Sequence, residues 1–431
     1  MVPDALDGQV ASTGFSILRG AVGVSSTYLF YYTLTKGFLD ALDVLQRGTS
    51  YPAVRDEDVR SQLIPLAPTA EQECIVAEIE TQFTRLDAGV AALKRAQANL
   101  KRYKAAVLKA ACEGSLVPQD PSDEPASELR ARILAERRAK WADDLRAKGK
   151  NPGTARYDDP AASNTDELPG LPNGWCWGTI EQLSTVVRGA SPRPAGDPRY
   201  FGGSIPWITV GSLTADSKPF LTAVSDFVTE AGCAASRYIE PETLLLTNSG
   251  ATLGVPKITL IGGCINDGSV ALLHVDYPLK LYLCYFLSSI TLRLRTINQG
   301  AAQPNLNTGI VKAITVPLPP LAEQERIVAE VERRLSVVQE QETVIAHSLK
   351  RAERLRQAIL ARAFAGKLVP QDQSDEPASV LLERIRAGRA GQSAAPKRRE
   401  ARHVSSTPMH LRQSRDESND NGAVQLTLPV A

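Results

Sequence analysis

The sequence predicts an α+β protein whose globular domains, built on mixed or antiparallel sheet, are separated by two long helices forming an antiparallel coiled coil. Three observations carry that prediction: an ungapped internal repeat, a heptad-like apolar seam inside each copy, and short β-branched runs bounded by Gly and Pro between the copies. The repeat joins residues 67–120 to residues 319–372, and Glu71 and Glu323, Gly114 and Gly366, and Asp120 and Asp372 are each 252 residues apart. One structural unit used twice is the simplest source of such a pattern.

Each copy has an explicit start and stop. Pro320 and the acidic run Glu323 to Glu325 place carboxylates in a first helical turn, where the helix dipole favours them. Gly114 and Gly366 can take the left-handed conformation that ends a helix, and Pro118 and Pro370 follow. Between start and stop, Val331, Leu335, Val338, Ile345, Leu349, Ala352, Ile359 and Ala363 step by fours and threes. Ile79, Phe83, Leu86, Val90, Leu93, Leu100, Val107 and Ala111 keep the same register in the first copy. Glu342 and Arg356, and Gln97 and Lys104, interrupt the seam. A narrow seam on a helix of about 42 residues, roughly 63 Å long, requires another long helix as partner. The other copy is the obvious one.

The repeat extends upstream. Gly48, Pro52, Val59 and Pro65 match Gly300, Pro304, Val311 and Pro317 at the same offset, and YLFYY at Tyr28 matches YLCYF at Tyr282 after a shift of two. The repeated unit therefore includes a globular domain ahead of the helix. Counted by the offset, the first such domain is expected to be short by about its first 80 residues. The expected plan is residues 1–68 as the back part of a truncated first domain, 69–158 as a long helix with exit helix and linker, and 159–320 as a complete second domain. Residues 321–388 are the second long helix, and 389–431, with Lys397, Arg398, Arg399 and Arg402, a basic tail expected to be disordered. The exit helix is placed over residues 126–150 and carries Arg130, Arg132, Arg137, Arg138 and Lys140. In the complete domain, LPNGWCWGTIEQL reads as a strand leading into a short helix, and KLYLCYFLSSITLRLRTI as a buried helix.

Composition narrows the function classes. A chain of 431 residues with 43% hydrophobic and 23% charged residues is ordinary soluble protein of more than one domain. No apolar run has the length of a membrane span and no secretory leader pattern is present, so the cytoplasm is the expected location. A net charge of +1 leaves any nucleic-acid binding to local patches. Cys74, Cys112, Cys176, Cys233, Cys264 and Cys284 are too scattered for a metal-ligand pair and read as buried free thiols. Nucleotide-binding, hydrolase, zinc-protease and amino-methyltransferase motifs are not found. SGATLG at Ser249 has glycines without the phosphate-loop lysine and reads as a turn. No catalytic residues are assigned.

Binding remains. A duplicated domain carried on a rigid spacer suits a split target, and double-stranded DNA offers half-sites about one turn, or ~34 Å, apart. Candidate contacts lie in three polar loops of the complete domain: Arg188, Ser191, Arg193, Arg199 and Tyr200; Asn248, Ser249 and Thr252; and Asn298, Gln299, Gln303 and Asn305. Arg can grip guanine O6 and N7, and Asn or Gln adenine N6 and N7.

The ordered combination of LPxGWxW at Leu171, GxIPWIxxGxL at Gly203, PLPPLAEQxxIV at Pro317 and AxxGxLVPQ at Ala363 resembles the specificity subunits of type I restriction-modification systems. The likeness spans residues 8 to about 386. It implies a non-catalytic chain whose recognition domains each read half of a split DNA sequence, while its helices dock modification subunits. S-adenosylmethionine, ATP and Mg would belong to the modification and restriction subunits, with no cofactor on this chain and no membrane partner. Lys94, Arg95, Lys101 and Arg102, with Lys350, Arg351 and Arg354, are the candidate docking faces. The competing readings are a coiled-coil scaffold without a DNA role and a degenerate fragment that reads one half-site.

Overall fold

Helices α1 (Ser26–Thr33), α2 (Lys36–Asp43) and α3 (Asp56–Arg60) precede the first long helix, α4 (Thr69–Cys112), and the exit helix α5 (Ala126–Ala147). This computed structural model describes residues 12, 14–48, 52–166, 168–296 and 306–394. The large domain follows as β1 (Cys176–Thr179), α6 (Ile180–Leu183), β2 (Thr185–Arg188), β3 (Phe201–Ile208), α7 (Val210–Thr214), β4 (Phe220–Leu221), β5 (Phe227–Val228) and α8 (Glu230–Ala234). It continues through β6 (Arg237–Ile239), β7 (Thr243–Thr247), β8 (Pro256–Thr259), β9 (Gly263–Ile265), β10 (Ser269–Leu273), α9 (Leu279–Thr296), α10 (Thr308–Lys312) and β11 (Thr315–Leu318). The second long helix, α11 (Leu321–Phe364), and α12 (Ala378–Ala394) complete the described chain. It divides into two compact units, Met1–Glu78 with Arg362–Ala431, and Ile79–Ala361.

Both long helices have 44 residues, and both stop as the glycines dictate. Gly114 (φ +69) and Gly366 (φ +64) are left-handed, and the next amides, of Ser115 and Lys367, reach back to the carbonyls of Ala110 and Arg362. That is a Schellman-type termination made twice. Every seam residue named above is buried or half-buried, and the four polar interruptions are half-buried. Within the larger unit the helices run antiparallel. Arg356, late in α11, pairs with Asp87 in the first half of α4 and lies over the Phe83 ring. Ile327, Val328 and Val331, early in α11, share a core with Val107, Leu108 and Ala111 at the end of α4. Arg356 thus fixes register with its charge satisfied, which an apolar seam residue could not do.

Among the described residues the larger unit holds three sheets. β1 and β11 form an antiparallel pair; β2-β10-β7-β8-β4 make a five-stranded sheet; and β5-β3-β9-β6 make a four-stranded one. All ladders are antiparallel except β3 with β9 and β4 with β8. The apolar run expected as a buried helix is α9, whose residues Leu279 and Leu281 to Leu287 are all buried. The exit helix stops at Ala147, three residues short of expectation, because Gly149 turns left-handed there (φ +69). α12 runs on to Ala394, so the first six residues of the expected tail are helical; residues 395–431 lie outside the described part.

In the larger unit the domain is fastened where α4 ends and α11 begins. The Trp175 indole N–H donates to Glu323 Oε2 at 2.8 Å. Ala126 N–H donates to Gly174 O at 2.8 Å, and Pro172 packs where a Cβ on Gly114 would sit. Arg326 pairs with Asp123 at 2.5 Å. From α5, Arg137 donates to the carbonyls of Glu181 and of Ser184 (2.6 Å), closing the C-terminal end of α6, and Arg130 donates to Trp177 O.

In the smaller unit the repeat reproduces its local hydrogen bonds. Tyr28 Oη donates to Pro65 O at 2.9 Å, as Tyr282 does to Pro317 O at 2.5 Å. Gln72 donates to Ala67 O at 2.8 Å, as Gln324 does to Pro319 O at 2.9 Å. The upstream strands differ. Phe15, Ile17 and Leu18, which align with the β10 region, are exposed and lie outside any helix or strand.

Trp175→Phe removes one charge-assisted hydrogen bond at the fastening point, and Glu323 Oε1 is already unpartnered. The expected loss is about 1.5–3 kcal/mol in urea unfolding. Burial pushes the Glu323 carboxyl above the ordinary Glu range, against the lowering effects of Trp175 and Arg326. A raised folded-state pKa means that folding favours the protonated form, so this contribution is fullest below the unfolded pKa and is lost as pH rises through the folded one. Glu323→Gln should therefore gain on the wild type in urea midpoint as pH rises above the ordinary Glu range.

Candidate nucleic-acid interface

The end of β2, the turn between β9 and β10, and the end of β7 come together at one edge of the five-stranded sheet. β10 lies between β2 and β7 in that sheet, so the residues that leave all three strands on this side must be neighbours. The join is close. A Cβ on Gly189 would lie 2.0 Å from Asn266 O, so only glycine lets the β2 loop lie flat against the β9–β10 turn. Gly189 N–H donates to Ser269 O at 3.0 Å and Ala190 N–H to Ile265 O at 3.1 Å.

Asp267 organises the edge. Ser191 Oγ donates to its Oδ1 at 2.5 Å, Arg188 Nε to its carbonyl at 3.1 Å, and Arg193 pairs with Oδ2 at 3.5 Å. Asn248 N–H donates to Gly268 O at 2.9 Å, which seats the β7 turn alongside. Ser249 Oγ lies 3.2 Å from where a Gly268 Cβ would stand. Arg188 and Arg193 are exposed, and Ser191, Ser249 and Thr252 half-buried. The Arg193–Asp267 pair is solvent-exposed on both sides and worth little in itself, so the guanidinium can exchange Asp267 for a phosphate or base edge at small cost. Ser191 keeps the aspartate held meanwhile.

Other expected contacts fall elsewhere. Asn248 is fully buried. It follows directly on β7, all of whose residues are buried, and its carbonyl accepts from Leu306 N–H, so its amide faces protein and is not a surface contact in this arrangement. Arg199 and Tyr200 lie on a separate turn. The Arg199 guanidinium grips Asp197 at 2.7 Å, which holds that carboxyl below the ordinary Asp range, and stacks on the Tyr200 ring. Thr229, at the head of α8, ties their backbone by bonding Arg199 O and Tyr200 O. SGATLG is a turn, with Thr247 Oγ1 donating to Thr252 O at 2.6 Å. Asn298, Gln299, Gln303 and Asn305 lie outside the described residues. Asp267 was missed by the sequence reading; the Asn-Asp-Gly turn at 266–268 between two β runs was the available signal.

On the helices, Lys94, Arg95, Lys101, Arg102, Lys350, Arg351 and Arg354 are all exposed. Tyr103, Val337, Val344 and Leu355 are exposed apolar side chains on the same two helices. The thiols are less uniformly buried than expected: Cys264 and Cys284 are buried, Cys112, Cys176 and Cys233 half-buried, and Cys74 exposed, because Cys74 lies off the seam of α4. No helix among the described residues is long and apolar enough to cross a membrane.

Residues 172–341 match the family described as type I restriction modification DNA specificity domain. Over 372 residues the chain is 24% identical to the type I restriction enzyme EcoDI specificity subunit of Escherichia coli, covering 84% of this chain and 76% of that one. The EcoAI specificity subunit of Escherichia coli is 28% identical over 344 residues, covering 66% and 55%. Among solved structures, a chain from work on complex assembly and conformational transition of the type I R-M system superposes with a TM-score of 0.63 at 24% identity, covering 85% of this chain and 78% of that one. That likeness speaks for the fold. The stretch from β1 into α11 is a type I restriction-modification DNA specificity domain, set in a chain that resembles type I specificity subunits along most of its length.

Proposed function

We propose that this chain is the non-catalytic reader of a type I restriction-modification complex, and that the edge organised by Asp267 is where its complete recognition domain meets DNA. The convergence of Arg188, Ser191 and Arg193 on one aspartate, the first on its backbone carbonyl and the other two on its carboxylate, beside the Ser249 turn, carries this reading. It gathers into one place basic and hydroxyl groups from separate parts of the chain. The domain plan follows from the repeat. Residues 159–320 form a complete recognition domain, and residues 1–68 correspond to the back part of a second one, so the target would be bipartite in design, with the complete domain reading one half. The outward basic faces of α4 and α11 would dock modification subunits. S-adenosylmethionine, ATP and Mg would act in those partners and in a restriction subunit. The exposure of Phe15, Ile17 and Leu18 favours one second reading, a chain that engages only one half-site.

In a complex reconstituted with modification subunits, Arg193→Ala should weaken binding to a selected duplex by about 1–3 kcal/mol relative to a scrambled one if Arg193 grips a base edge. An equal loss on both duplexes assigns it to phosphate, and no loss on either removes it from the interface. Footprinting of the same complex should protect one half-site if only the complete domain reads, and two if both do. Reversing the charge of Lys94, Arg95, Lys350 and Arg351 together should abolish co-purification of a modification subunit while leaving the circular dichroism spectrum unchanged; retained co-purification would show that these faces do not dock it.

A further inference from the structure

Two thiols that the sequence separates by 31 residues meet in the four-stranded sheet. Cys233 Sγ, on α8, lies 2.6 Å from Cys264 Sγ, on β9. Both pack with Trp207, Val228, Phe201 and Ile205 in a small core of their own. The pair stands directly behind the proposed DNA edge. Ser236, two residues after α8, donates through Oγ to Ala190 O at 2.6 Å and to Ile265 O at 3.1 Å. Ile265, next to Cys264, accepts the Ala190 amide, and Arg237 Nε donates to Arg188 O at 2.7 Å. The backbone that carries Arg188 and Ser191 is thus bonded to residues next to, or a few positions from, both thiols.

We infer that Cys233 and Cys264 form a reversible disulfide, a covalent modification site whose closure clamps the backing of the Arg188–Ser191 loop. The oxidant class is a low-molecular-weight disulfide such as oxidised glutathione. Of the two residues Cys233 is half-buried and Cys264 buried, so the oxidant is assigned to Cys233 first. Its thiolate attacks one sulfur of the oxidant, forming a mixed disulfide and releasing one reduced thiol. Cys264 then attacks the Cys233 sulfur, and the second reduced thiol leaves. Two protein thiols are oxidised, one small disulfide is reduced to two thiols, and the two thiol protons pass to the released thiolates. Burial and the neighbouring Cys233 push the Cys264 thiol up to about 12, so Cys264 serves as the resolving sulfur through proximity and Cys233 as the entry point. The closed loop spans β6, β7 and β8, which adds a covalent tie between α8 and a sheet whose link from β9 to β3 is only a short parallel ladder.

The test uses the full chain. Incubation with oxidised glutathione should give a protein lighter by two hydrogens without a retained glutathione, restored by dithiothreitol, with peptide mapping placing the link at Cys233–Cys264. Cys233→Ser and Cys264→Ser should each abolish the mass loss, while Cys74→Ser, which removes an exposed thiol, should leave it intact. Amide exchange at Ala190 should slow at least several-fold in the oxidised form. A persistent glutathione adduct on Cys233, a link to any other cysteine, or no reaction would overturn the assignment; an oxidised protein with unchanged Ala190 exchange would refute the clamp on the loop.

Discussion

The hydrogen bond from the Trp175 indole to the buried Glu323 carboxylate is the point on which the larger unit depends. It ties the first strand region of the recognition domain to the first turn of α11, beside the glycine that ends α4. A buried carboxylate demands a donor, and an indole N–H is a donor that brings a large apolar body with it. The same junction is closed by the Arg326–Asp123 pair and by Gly174 accepting from the head of α5. The recognition domain is therefore held from several directions at once, by parts of the chain far apart in sequence. A loop edge is useful as a reader only if its frame is fixed.

The edge itself is an economical piece of electrostatics. At the proposed DNA edge an unpaired aspartate would be unfavourable, and Asp267 is bonded by Ser191 and Arg193. While the protein is free it preorganises the arginine. Were Arg193 to turn to DNA as proposed, Ser191 would still hold the aspartate and Arg188 would stay fixed to its carbonyl. The division of labour is between a side chain that moves and a frame that does not, which lowers the ordering cost of binding. In the smaller unit Glu71 and Gly366 are the counterparts of Glu323 and Gly114 in the larger, yet among the described residues Gly366 meets Gln371, whereas Gly114 meets Gln119 and also Pro172 and Trp175. The two copies share the helix machinery and differ in what is fastened to it.

Much of this was legible in the sequence because it is local or periodic. The seam from Ile79 to Ala111 and its partner from Val331 to Ala363 follow from side-chain spacing alone, and the helix ends from glycine conformations at Gly114 and Gly366. The loops carrying Arg188 and Arg193 were legible as polar and Gly-Pro-rich. What the sequence hid is long-range. Asn248 reads as a loop residue, yet β7 is buried on both faces and takes Asn248 inside with it. Asp267 has no meaning until β10 is known to lie between β2 and β7. Cys233 and Cys264 look scattered until α8 is packed against β3 and β6, and the exit-helix arginines look like a solvated charge run until Arg137 is seen closing α6.

The central claim is that the Asp267 edge faces DNA while the frame behind it stays as it is. Hydrogen exchange of the reconstituted complex, with and without a duplex selected from a random pool, measures this directly. Added protection is expected at residues 188–193, 248–252 and 266–268, with the Trp175–Glu323 junction unchanged. Protection confined to the outer faces of α4 and α11, or to the Arg199–Tyr200 turn, with none at residues 188–193, would contradict it.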